Sequence, residues 1–88
     1  MIVANTGREV FRAMQKIVIQ RKDQTVKGPL DDRDGAPIDV CSASMVIQVH
    51  EALRQENQEK MMEMFERLPV GEAVNVLWKV SHQGHTLH

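Results

Sequence analysis

The chain has 88 residues, enough for one domain with a single modest core and too few for a nucleotide-binding fold joined to a substrate domain. Hydrophobic residues make up 42% and charged residues 26%, which excludes a disordered or fibrous chain. With 11 Lys and Arg against 12 Asp and Glu, and only Phe11, Phe65 and Trp78 as aromatics, there is neither a global attraction to nucleic acid nor a stacking platform for single strands.

The first element starts at Thr6. Thr6-Gly7-Arg8-Glu9 has the form of a capping box, in which a hydroxyl and a carboxylate each satisfy a free backbone N–H at a helix start. Val10, Phe11, Met14, Ile17 and Val18 then fall on one side of a helix, and Arg8, Arg12 and Lys16 form a separate basic row. The pattern predicts a helix over roughly residues 6 to 22. The β-branched run Ile17-Val18-Ile19 leaves its end open between about residues 16 and 22.

Helical periodicity stops at Asp23. Gly28-Pro29, Asp34-Gly35 and Ala36-Pro37 supply turn chemistry at three places, so residues 23 to 41 read as a long loop. A loop of this length in so small a domain has room for a short hairpin, such as Gln24–Lys27 against Ile38–Cys41. Asp31-Asp32-Arg33-Asp34-Gly35 resembles part of a calcium loop. However, position one would be Leu30 and position twelve Cys41, so an acidic surface turn is the better reading.

No Gly or Pro interrupts the chain between Ser44 and Pro69, so the pattern predicts one helix over residues 43 to 67, capped by Ser42 or Ser44. At 1.5 Å per residue it would be about 38 Å long and would overhang so small a domain. Its apolar seam has two clusters: Met45, Val46, Val49 and Leu53, then Met61, Met64, Phe65 and Leu68. The polar run Arg54–Lys60 forms a waist between them, with His50 nearby, by default a partly buried hydrogen-bonding residue and alternatively a pH-sensitive contact. Pro69 then marks a junction, and a third helix is predicted over residues 70 to 82, with Gly84 as its stop. Its apolar residues, Val70, Ala73, Val74, Val76, Leu77, Trp78 and Val80, cover about half its circumference, more than one packing partner covers.

The expected fold is therefore all-α: a single domain of three helices, residues 1 to 88, with a long central helix, loose ends at 1–5 and 83–88, and a loop at 23–41. An overlong helix and a wide apolar arc together predict a helical homodimer. Asn57 and Lys60 in the waist would set its register, as polar seam residues do in coiled coils. Met62, Val76 and Trp78 complete the expected self-association or partner surface.

Chemistry finds little support. There is no Ser, His and acid set with recognisable spacing and no phosphate-binding glycine loop, and Cys41 has no identified base. His82, His85 and His88 recur every third residue, but no Cys or acid lies beside them, and a frayed tail is the better reading than a metal site. No enzyme activity, cofactor or metal is expected. A lone cysteine forms no intramolecular disulfide, the start lacks a signal-peptide pattern, and no segment approaches 18 apolar residues. These features point to the cytoplasm and away from a membrane.

The expected function is binding to another protein, as a small accessory adaptor, assembly factor or inhibitor. The alternative is a DNA-binding regulator that uses Arg8, Arg12 and Lys16. Residues 8 to 27 carry six basic and two acidic side chains. Against that alternative, residues 51 to 72 carry six Glu and three basic residues and would repel a duplex. The helix after Pro69 offers Val, Ala, Leu and Trp where a recognition helix needs polar side chains.

Overall fold

The computed structural model describes the backbone of residues 1 to 86 and the side chains through His82. Four helices pack together with a small three-stranded sheet, which α1 and α4 contact, and this corrects the all-α, three-helix expectation. In chain order the elements are β1 (Ile2–Val3), α1 (Gly7–Gln20), β2 (Gln24–Lys27), β3 (Ala36–Ile38), α2 (Val40–Ala52), α3 (Gln55–Arg67) and α4 (Val70–Thr86).

Helix α1 forms as its sequence predicts. The Thr6 hydroxyl accepts from Glu9 N–H at 3.1 Å, and the Glu9 carboxylate reaches back to Asn5 N–H at 3.3 Å. Val10, Ala13, Met14 and Ile17 are buried, with Phe11 and Val18 on the shoulder of that stripe. The helix ends at Arg21, which takes the left-handed conformation (φ 52°) so that Lys22 N–H can bond back to Ile17 O at 3.3 Å.

The stretch expected as loose end and loop contains the sheet. Strand β1 pairs in parallel with β2, Ile2 opposite Val26, and the parallel geometry requires a crossover, which α1 supplies. Strand β2 pairs antiparallel with β3, Gln24 opposite Ile38 and Val26 opposite Ala36. A hairpin therefore exists on Gln24–Lys27, but its second strand is Ala36–Ile38, sharing only Ile38 with the expected Ile38–Cys41, whose Val40 and Cys41 instead begin α2. Pro37 is accommodated because β3 is an edge strand. The sheet's inward residues, Val26 and Ile38, are buried in the helical core.

The predicted helix over residues 43 to 67 is two helices. Leu53 (ψ 150°) and Arg54 (ψ 157°) are both extended, and the chain changes direction there without Gly or Pro. Packing decides the break. Continued straight, α3 would carry Phe65 about 18 Å beyond the end of α2. Once turned, Met61 and Phe65 enter the same core as α1. Helix α2 lies centrally and packs against both α1 and α4. The break also ends the continuous seam on which the coiled-coil pairing was based.

Three helix starts are held by carboxylates from outside the helix. Glu66 on α3 accepts from Gly7 N–H at 2.8 Å. Asp39 accepts from Ser42 N–H at 2.6 Å, and Asp23 from Val40 N–H at 3.1 Å. Asp31 accepts from Gly28 N–H at 2.7 Å and, through both oxygens at 3.3 Å, from Val70 N–H at the start of α4. Each anion satisfies free N–H groups and complements the positive end of the helix dipole. Asp31 is therefore a structural tie between the sheet loop and α4. Asp32, its neighbour, only closes an exposed turn on Asp34 N–H at 3.0 Å. Helix α4 continues past its expected end at His82 and through the expected Gly84 stop to Thr86.

Candidate functional site

The N-terminal half of α1, the last turn of α2 and the first turns of α3 enclose a cleft of about 300 Å³. Its position follows from how α1 and α3 meet. A Cβ at Gly7 would collide with the Met62 carbonyl, so only glycine allows this close approach of the two backbones. Gly7 also bonds Glu66, while Phe11 and Gln15 share the cleft with Gln55 and Gln58. The two helices thus run antiparallel.

The floor is apolar. Phe11 and Met62 are half-buried and pack against the core. The His50 ring stacks on Phe11 with centroids 4.2 Å apart and planes 35° from parallel. His50 lies in the last turn of α2, two residues before its end, and its carbonyl, free of a helical partner, accepts from Leu53 N–H at 3.2 Å and Gln58 Nε2 at 2.8 Å. The Gln58 amide therefore fastens α3 to the end of α2. The rim is polar: Arg8, Arg12 and Gln15 stand on the α1 side, and Gln55 and Glu59 on the α3 side, all exposed.

Among the described residues the one salt bridge is Arg67 to Glu63 at 3.9 Å, both well exposed, a pair worth little in water. Arg8, Arg12 and Glu59 are in no ion pair among these residues. No carboxylate among them hydrogen-bonds the His50 imidazole, and Cys41, exposed in the first turn of α2, does not line the cleft. The cleft can therefore offer apolar contact, charge and amide hydrogen bonds to a ligand.

Arg8, Arg12 and Met62, expected in two different surfaces, come together in this one cleft. Lys16 is exposed one turn farther along α1. Asn57 and Lys60 are exposed on α3 and do not line the cleft. Val76, 40% exposed, and Trp78, half-buried, lie on α4 away from it. Trp78 instead donates its indole N–H to Ser42 Oγ at 3.3 Å, beside a wider depression of about 620 Å³ between β3 and α4. Sequence reasoning missed Phe11, Gln15, Gln55, Gln58 and Glu59 as surface groups. The available signals were the edge position of Phe11 on its apolar stripe and the amide-rich waist itself.

No group of three or more His, Cys, Asp or Glu side chains that could hold a metal occurs among the described residues. The side chains of His85 and His88 lie outside them. No helix among the described residues is long and apolar enough to cross a membrane. The chain matches no protein-family model, no curated protein and no solved structure at a significant level.

Proposed function

We propose that this chain is a non-catalytic, cytoplasmic protein-interaction module that docks a protein through the cleft between α1, α2 and α3. The observation that carries this reading is a half-buried apolar floor, Phe11 and Met62, framed by guanidinium and carboxylate groups that have no ion-pair partner among the described residues. Apolar centres with charged rims are how protein interfaces divide the work: burial supplies affinity, and charge supplies register and selectivity. Arginine suits such a rim, since its planar fork binds carboxylates in two-point fashion and tolerates partial desolvation.

The test is a photo-crosslinking residue placed at Gln15, on the rim, in the full-length chain. Crosslinks to protein that are lost when Met62 is replaced by Lys are the expected result. The competing use of the same arginines is phosphate binding. Salt-dependent affinity for duplex DNA, with a slope that falls when Arg8, Arg12 and Lys16 are changed to Gln, would overturn the protein-docking reading.

A further inference from the structure

We propose that the occupant of the cleft is a second copy of this chain, related by a two-fold axis that runs along the groove between α1 and α3. This inference rests on the docking reading above. A two-fold interface needs a surface complementary to itself, and the simplest form is a basic strip beside an acidic strip with an apolar floor between them. The two sides of this cleft have that form. Arg8 and Arg12 stand four residues apart on the α1 wall, Glu59 stands on the α3 wall, and Glu63, one turn farther along the exposed face of α3, extends the acidic strip just outside the cleft, where its long exposed contact with Arg67 leaves it free to exchange partners.

The levels of the charges along the groove also agree. Because α1 and α3 are antiparallel and Gly7 lies against Met62 and Glu66, Arg8 is level with about Glu63, and Arg12, one turn on, with about Glu59. A two-fold axis parallel to the helices preserves these levels and exchanges the walls. Arg8 of one copy then faces Glu63 of the other, and Arg12 faces Glu59, so each contact occurs twice. Phe11 and Met62 of the two copies meet at the axis.

The experiment uses two charge-reversed full-length chains, R8E/R12E and E59K/E63K. All four side chains are exposed, so circular dichroism should report native helix in both variants. Wild type should sediment as a dimer in the micromolar range. Each variant alone should dimerise at least ~10-fold more weakly, because like charges now face each other across the axis. An equimolar mixture should recover dimer as a heterodimer, since the acidic α1 of one variant meets the basic α3 of the other. A monomeric wild type at 100-fold higher concentration, or reversed variants that dimerise as wild type does, would overturn the two-fold pairing. A variant that lost its helix would be replaced by R8Q/R12Q, for which a dimer as tight as wild type would be equally decisive against it. Protein crosslinks from Gln15 on a monomeric chain would remove the second copy as occupant and leave the docking reading standing.

Discussion

Replacing Asp31 with Ala tests whether a single carboxylate couples the sheet loop to α4. The side chain accepts from Gly28 N–H at 2.7 Å and, through both oxygens at 3.3 Å, from Val70 N–H. Gly28 and Val70 are both buried, so water replaces these bonds poorly. Loss of a helix cap costs about 1 kcal/mol, and a buried donor left without a partner costs about 1–3 kcal/mol. The expected loss is therefore about 2–4 kcal/mol. At ~0.05–0.15 kcal/mol per residue, a domain of this length has only roughly 4–13 kcal/mol in total. Urea unfolding followed by helical circular dichroism should show the midpoint falling at an unchanged slope. Asp31→Asn keeps an acceptor for Gly28 and loses the charge at the helix start, so its loss should be about 1 kcal/mol. Asp32→Ala is the control, because it removes only an exposed bond to Asp34 N–H and should stay within about 0.5 kcal/mol. Equal midpoints for Asp31→Ala and Asp32→Ala would refute the tie.

Two further predictions follow from local geometry. Gly7→Ala should destabilise by about 3 kcal/mol or prevent α3 from docking, since the new methyl meets the Met62 carbonyl; Gly71→Ala, whose methyl finds only the Ala36 side chain at 3.6 Å, should be neutral or slightly stabilising in the same melt. The Asp39 carboxyl is held below its ordinary value of 3.8, chiefly by the Ser42 backbone N–H and then by the Ser42 hydroxyl. Its contribution to α2 should be complete above about pH 4 and should vanish as pH falls through the lower folded value, an acid dependence that Asp39→Asn should remove from the pH profile of stability.

What was legible in the sequence was local. Thr6 and Glu9 sit three apart, and the apolar positions of α1 recur at helical spacing, so cap and buried stripe were both readable. The start of α4 after Pro69 was readable for the same reason. The end of α1 was not, because Arg21 takes a left-handed conformation that usually goes to Gly. The sheet escaped because strands of two to four residues are too short to show alternation, and Pro37 in β3 reads as a turn. The break at Leu53 and Arg54 escaped because neither residue opposes a helix, and the decision belongs to the burial of Met61 and Phe65 against α1. The cleft lay partly in view, in Arg8, Arg12 and Met62. Its floor required knowing that His50 and Phe11 come from helices that the turn brings together.

The carboxylates that hold the helix starts have a consequence for how the chain folds. Glu66 and Gly7 are 59 residues apart, Asp31 and Val70 are 39 apart, and Asp23 and Val40 are 17 apart. Short isolated helices are marginal in water because the first turn is costly to nucleate. Here part of what offsets that cost arrives only when distant parts of the chain have met. Local helix formation and global assembly are thereby linked into a cooperative event, in which a fragment ending before Glu66 lacks one anchor of α1 and one beginning after Asp31 lacks the anchor of α4. Elements that depend on one another in this way open together, so slow amide exchange should spread as one block across α1 and α4.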